Sequence, residues 1–211
     1  MPQSTKPFSQ ACENNKRFIF DHIKHQFQPG NLVLEIGSGT AQHVLFFAEM
    51  MPLVRWQPSE MPQNIPTLVA GLADHQWPNI AAPLTLDVTQ TQWLSPNAVP
   101  QDGQIEGVAG VFTANTLHIM PYEAVTRFFA GVGDVLRPGG TLCVYGPFKY
   151  GGEFTTPSNA SFDTHLKGFD PRMGIRDFEH VQTLAETHRL DLLADHAMPA
   201  NNQLLVWQMR Q

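Results

Sequence analysis

Long apolar runs are missing from this chain. No stretch of its 211 residues approaches the ~18 consecutive apolar positions that a membrane-spanning helix requires, so no membrane span is expected. The opening "MPQSTKPFSQ" lacks the apolar core of a signal peptide. Cysteine is scarce: Cys12 and Cys143 stand far apart and match no metal or redox spacing. They are expected as reduced thiols in a cytoplasmic protein. Basic runs are missing too. Nucleic-acid backbones are bound through clustered Lys and Arg, so a chain of formal charge −6 without such a cluster is not expected to bind nucleic acid. The nine histidines include no HExxH-type pair, and no metal is expected. No internal repeat or low-complexity tract is present.

What is present is an ordinary globular composition, 42% apolar, enough to bury one full-sized core. A single domain over residues 1–211 is expected. Ile19, Ile23 and Phe27 recur at helical spacing and predict a helix over 11–27, stopped by Pro29-Gly30. "NLVLEI" reads as a buried strand, followed by a glycine turn and a helix over about 40–50. "LVRWQ" predicts a second strand ended by Pro58, residues 64–73 a helix, and "PLTLDV" a third strand. "EGVAGVFTAN" predicts a fourth. Tyr122, Val125, Phe128, Phe129, Val132, Val135 and Leu136 then form one apolar helical stripe, ended by "RPGG". "TLCVYG" is the fifth strand. Residues 147–174 show no clear periodicity and predict a long functional loop or lid. A helix is expected after Asp177 as N-cap, and then a hairpin turning at Pro199-Ala200-Asn201-Asn202. The alternation predicts an α/β fold: a mostly parallel sheet with helices on both faces and an antiparallel strand at the C-terminal hairpin. Ligands of such sheets bind beyond the carboxyl ends of the strands.

The turn "VLEIGSGTAQH" is the first of those ends. Gly37 and Gly39 permit positive φ and close approach of a ligand to the backbone. The helix that follows presents free N–H groups. A dinucleotide fingerprint would put Gly or Ala at position 42, where this chain has Gln42, so NAD is not favoured. No Gly-Lys-Ser/Thr exists for a P-loop. The remaining pattern, acid-x-Gly-x-Gly-x-Gly, is used by enzymes that bind S-adenosylmethionine. Here it reads Glu35, Gly37, Gly39, Ala41. Glu60 ends the second strand, where an acid can accept from both ribose hydroxyls. Asp87 ends the third, beside Val88, where a carboxylate can accept from an adenine amino group. Asn115 ends the fourth. Three acids at four strand ends suit hydroxyls, an amino group and a sulfonium better than a phosphate. Any one acid alone is as well explained as an exposed loop carboxylate.

With these residues in place the chain resembles the class I methyltransferases and, more narrowly, the methyltransferase-like protein 26 family. The resemblance rests on "ENNKRFI", "VLEIGSGTAQH", "WQPSE", "LDV", "NTLHI", "LRPGG", "YGPFKYGGEFTTPSNASFD", "DPRMGIRD" and "MPANN", which span almost the whole chain. It implies a Rossmann-like seven-stranded sheet with a reversed hairpin strand, and S-adenosyl-L-methionine as methyl donor. It implies that Glu35, Gly37, Ser38, Gly39 and Thr40 line the methionine end, that Glu60 takes the ribose, and that Asp87 and Val88 take the adenine. It implies too that Asn115, with the backbone near Thr116, faces the methionine moiety. By the same resemblance Asn15 and Lys16 are expected to fold over the site from an N-terminal helix or lid within residues 1–30. Two departures stand out. Asn14 replaces the Arg of relatives, which bears on the lid contact, and Ala41 replaces a Gly.

Methyl transfer is an in-line displacement, so alignment does much of the work. His118 follows the fourth strand and is the candidate general base; holding a loop at a helix start is the equally plain role for it. Tyr145, Phe148 and Lys149 follow the fifth strand and are candidates for an acceptor pocket. Ser158, Asn159, Asp163 and Arg176 are polar groups that a substrate-side loop over 147–176 can present. For His43, packing or a capping contact is the plain role. The expected activity is S-adenosylmethionine-dependent methyl transfer to a small molecule. An inactive methyltransferase fold serving as a cofactor-binding or interaction module is the alternative. The acceptor and the oligomeric state are left open.

Overall fold

Ser9 starts the first helix. Its hydroxyl accepts the Cys12 amide at 3.3 Å, satisfying one of the orphan donors of a helix N-terminus. The helix, α1, covers Gln10–Ile23 and ends before Phe27, although Ile19, Ile23 and Phe27 are all buried. The computed structural model describes residues 6–94 and 107–211; Glu106, the expected start of the fourth strand, lies outside them. Two compact units make up the chain, Met1–Asp87 and Val88–Gln211.

After α1, the first unit alternates β1 (Leu32–Ile36), α2 (Gln42–Met50), β2 (Arg55–Glu60), α3 (Ile65–Gly71) and β3 (Leu84–Thr85). β1, β2 and β3 pair in parallel. Trp56 is fully buried between Phe27 and Phe47, with ring centroids 5.9 and 5.5 Å away. Pro58 does not end the second strand; β2 runs through it to Glu60. The Trp56 amide donates to Asn79 on the β3 side. By strand alternation the Pro58 nitrogen faces that same side, so the ladder to β1 needs nothing from it.

The second unit holds β4 (Val108–Ala114), α4 (Tyr122–Val135), β5 (Leu136–Gly146), β6 (Phe148–Tyr150), β7 (Glu153–Phe154), α5 (Pro157–Phe169), β8 (Arg176–Asp177), α6 (Phe178–Thr187), β9 (Leu190–Met198) and β10 (Asn202–Met209). Most of the predicted stripe on α4 is buried: Val125, Phe128, Phe129 and Val132 are fully enclosed, whereas Tyr122 at its start is exposed and Leu136 already belongs to β5. Strand β5 begins at Leu136, directly where α4 ends, so "RPGG" belongs to a strand with an irregular register rather than to a loop. β4 and β5 are parallel, and β10 runs antiparallel to both β5 and β9.

The sheet has seven strands in the order β3-β2-β1-β4-β5-β10-β9, an α/β Rossmann-like arrangement flanked by helices. A second, three-stranded sheet joins β7, β6 and β8. Residues 147–174, expected to be irregular, carry the thirteen-residue helix α5. Thr156 caps it by accepting the Asn159 amide, and Pro157 occupies its first turn, where a missing N–H costs nothing. Asp177 does precede α6, but its carboxylate accepts from the Gly152 amide at 2.7 Å instead of capping the helix. Among the described residues no helix is long and apolar enough to cross a membrane.

Candidate functional site

In the first unit the site is built around the turn between β1 and α2. Gly37, Gly39 and Ala41 all have positive φ, at 73°, 53° and 66°. Glycine adopts this geometry freely, whereas Ala41 holds it at a steric cost of about 1 kcal/mol. The turn is pinned to the end of β2. Gly37 and Ser38 donate their amides to the Ser59 carbonyl, and the Ser59 amide returns a bond to the Ser38 hydroxyl. Glu60 grips the turn directly: its Oε2 accepts the Gly39 amide at 2.9 Å, and its Oε1 accepts the Met61 amide at 2.9 Å. From the other flank α3 presses in, with Gly71 against the Thr40 carbonyl. Beyond Gly39 lies open space, since a Cβ placed there would meet nothing within 4 Å. Thr40, at the end of the turn, is half-buried.

Glu35 is the unusual group. It is 2% exposed, and its Oε2 has no hydrogen-bond partner. Burial drives its carboxyl up to about 7, opposed by the Ser38 hydroxyl and reinforced by the Glu60 charge. A buried carboxylate oxygen without a donor is costly unless something cationic or hydrogen-bonding completes it. Asp87, half-buried, stands two residues past β3.

Helix α1 is bolted to this turn. Gln42 accepts from the Ser9 amide and the Thr40 hydroxyl and donates to Glu13 at 3.2 Å. Asn15 is buried and bonds His43 at 2.7 Å. Burial, helped by Lys16, lowers His43 to about 4, so it packs as a neutral imidazole. Lys16 pairs with Glu13 at 2.7 Å and lies over the Phe46 ring. Asn15 and Lys16, expected to reach over the site, thus both contact α2, Asn15 through His43 and Lys16 over Phe46, and Lys16 also pairs with Glu13 within α1. The clamp made by Gln42 was missed in the sequence, where this residue registered only as a break in the dinucleotide pattern.

In the second unit, Val88 is buried and its carbonyl accepts the Trp93 indole N–H at 3.4 Å. Asn115 turns the chain at the end of β4 with φ 59°, its amide bonded to the Tyr145 carbonyl. The Thr113 and Thr116 hydroxyls, 2.6 Å apart, brace that turn. His118 is 6% exposed and packs against the edge of Phe162 from α5, ring centroids 5.3 Å apart. Its imidazole has no hydrogen-bond partner among the described residues. Burial, and secondarily Arg176, lowers it to about 4, so the ring is neutral at pH 7 and a weaker base than a free imidazole.

The polar residues expected to meet an acceptor are engaged with the protein. Asn159 donates to the Asn201 carbonyl at 3.0 Å and the Thr155 hydroxyl at 2.9 Å. Asp163 is buried, accepts the Ile175 amide at 2.7 Å and pairs with Lys167 at 2.6 Å. Arg176 donates to the carbonyls of Leu117, Met120 and Arg172. Ser158 bonds Thr156 and Asn201. Tyr145 and Phe148 are buried, and Lys149 lies over Phe154. Composition could not show this, because each side chain is polar whether it faces a ligand or a carbonyl.

Solved structures similar to this one include methyltransferases. The apo S-adenosylmethionine-dependent methyltransferase SibL is 16% identical, with a TM-score of 0.73 over 95% of this chain and 56% of its own. Human N-acetylserotonin methyltransferase, solved in complex with SAM, is 14% identical, with a TM-score of 0.74 over 96% of this chain and 53% of its own. The mitomycin 7-O-methyltransferase MmcR is 15% identical, with a TM-score of 0.72 over 94% and 54%. This chain therefore spans little more than half the length of these proteins. The likeness establishes a class I methyltransferase-like fold of Rossmann type. At the level of sequence the match runs over residues 6–209, nearly end to end, and the chain belongs to the family described as "Protein of unknown function (DUF938)".

Proposed function

We propose that the protein is a cytoplasmic S-adenosyl-L-methionine-dependent methyltransferase acting on a small molecule, with its narrower kinship to the methyltransferase-like protein 26 proteins. The observation that carries this reading is Glu35: a buried carboxylate with one unpartnered oxygen beside a glycine turn whose outer face is open. That arrangement suits a cationic ligand with hydroxyl groups. When bound, S-adenosylmethionine supplies a methyl group already activated on a sulfonium. Glu35, with Gly37, Ser38, Gly39 and Thr40, holds the methionine end in this reading. Glu60 accepts from the ribose through lone pairs not used by Gly39 and Met61. Asp87 and Val88 take the adenine, and Asn115 the methionine moiety. His118 accepts the proton of the acceptor. The acidic total charge and the lack of a basic run favour a small acceptor over nucleic acid.

Isothermal titration with S-adenosylmethionine tests the reading. Saturable, micromolar binding is expected; no heat from folded protein would leave an interaction module as the better description. A second prediction concerns pH. In the free protein Glu35 binds its proton up to about pH 7, against a usual carboxyl value of 4.5. The folded state therefore holds more protons than the unfolded chain between those values, and this group costs stability as the pH rises across that window. A cation beside Glu35 favours the carboxylate. Donor binding at about pH 6 should then release a proton, and affinity should climb as the pH rises through about 7. Titrations in buffers of different ionisation enthalpy count that proton, and Glu35→Gln should abolish its release. A flat pH profile would remove Glu35 from the methionine end.

His118→Ala should lower methyl transfer to a screened acceptor by at least about a hundredfold, the usual share of a general base. Its affinity for S-adenosylhomocysteine should stay that of the wild type. Full turnover in that variant would leave His118 a packing residue.

A further inference from the structure

The loop that carries Asn115 and His118 takes its shape from a strap far along the chain. This strap, residues 170–177, follows α5 and ends in β8. Three hydrogen bonds tie it to the loop. The Gly174 amide donates to the His118 carbonyl at 2.9 Å. Arg176 Nε donates to the Leu117 carbonyl at 3.0 Å, and its Nη2 donates to the Met120 carbonyl. The same Nη2 also bonds the Arg172 carbonyl at 3.0 Å, so one guanidinium joins strap to loop and strap to itself.

The strap is itself anchored. Asp163 on α5 accepts the Ile175 amide at 2.7 Å and is held by Lys167. Gly174 has φ 150°, and a Cβ there would lie 2.8 Å from Asp163 Oδ1, so only glycine passes this close. The adjacent α5 residue Phe162 places its ring against His118. Carbonyls on both sides of the imidazole, those of Leu117 and Met120, are thus fixed by one cation, and the His118 carbonyl by the neighbouring amide.

We infer that Arg176 is a positioning residue: it sets the place of the His118 imidazole by fixing the backbone before and after it, and it does so without meeting the acceptor. Its role in catalysis rests on the methyltransferase reading; its effect on His118 does not. The charged and titratable groups around this arrangement are Asp170 and Arg172, paired with each other in the strap, Arg176 and Asp177 from β8, Asp163 and Lys167 from α5, and Tyr122 and Glu123 from the start of α4. Of these, Arg176 is the one that acts on the imidazole charge, in the same sense as burial. Lysine cannot reproduce the arrangement, because a single ammonium does not present the planar fork that spans separated carbonyls.

The test uses full-length protein without any ligand. The His118 imidazole is followed by NMR through a pH titration, and the Gly174 amide by hydrogen exchange, in wild type, Arg176→Gln and Arg176→Lys. In wild type the ring should stay neutral down to about pH 4. In Arg176→Gln its midpoint should move up, and Gly174 exchange should speed by at least about tenfold, the loss expected for bonds to a charged donor. Arg176→Lys keeps the charge, so the titration should shift less while the amide still loses protection. Should Arg176→Gln fail to fold, the lysine variant alone decides the matter through the Gly174 amide. Unchanged titration and unchanged exchange in a folded variant would overturn the inference and return Arg176 to the ligand-binding role its sequence context suggests. Because neither readout needs S-adenosylmethionine, a failure here is distinct from a failure to bind the donor.

Discussion

Gly71→Ala is expected to destabilise the protein by about 3 kcal/mol, the upper end for an overpacked site, and to abolish donor binding. The added Cβ would lie 2.3 Å from the Thr40 carbonyl oxygen, 2.8 Å from the Thr40 carbonyl carbon and 3.1 Å from the Ala41 Cβ. None of these atoms can turn aside by a rotamer change. Two belong to the backbone of the glycine turn, and the third is fixed to a residue already held at φ 66°. The turn can yield only by moving, and its attachment to Ser59 and Glu60 resists that movement. Urea unfolding measures the stability loss, and titration with S-adenosylhomocysteine in the same samples measures the binding loss. A variant with wild-type stability would mean that α3 draws back freely, so that the close contact is not needed. A variant that is destabilised yet still binds would separate the shape of the turn from ligand recognition.

Glu60→Gln is expected to lower stability by about 2 kcal/mol and to weaken donor affinity as well. The carboxylate accepts a backbone amide with each oxygen, Gly39 on one and Met61 on the other, with Asn64 approaching the second at 3.4 Å. A glutamine of the same shape has one acceptor oxygen and one NH₂ group. Whichever way it is turned, an N–H group of the side chain faces an N–H group of the backbone. The site is 7% exposed, so water does little to relieve the mismatch. Thermal unfolding and titration with S-adenosylmethionine read the two effects. If the glutamine variant unfolds and binds like wild type, then Glu60 is neither clamping the turn nor reading the ribose. Affinity lost with stability intact would assign it to the ligand alone.

The α/β alternation, the α4 stripe and the terminal hairpin were legible in the sequence because each depends on a local period. The stripe is visible in Val125, Phe128, Phe129 and Val132 whatever they pack against. The failures share a different cause. Pro58 looked like a strand end because its lack of an N–H matters only if that nitrogen faces a paired neighbour, and the facing direction depends on register. Helix α5 was hidden by its polar sequence: its buried residues include Asn159 and Asp163, and they are buried by bonds to Asn201 and Ile175 rather than by apolar contact. A periodicity search counts apolar residues and so passes over a helix anchored in that way. Gly71 lay unremarked inside the helix expected over 64–73; its close approach to Thr40 depends on a neighbour that local pattern does not show. The strand-end acids were visible one by one. The sequence carried no sign that one Glu35 oxygen lacks a partner while both Glu60 oxygens hold a backbone amide, because that depends on which donors happen to be near.

Strand β10 lies between β5 and β9, although it follows both in the chain. A ribosome therefore delivers β9 before any strand exists for it to pair with, and leaves the β5 edge uncovered until residue 209 has been made. That edge includes Leu142, Cys143 and Val144, all fully or almost fully buried in the finished fold. An unpaired apolar strand edge is a template for pairing with another chain. At translation rates of about 5–20 residues per second, β5 waits several seconds for its cover. A stop codon placed just after β9 should therefore give a product that aggregates rather than one that is merely shortened.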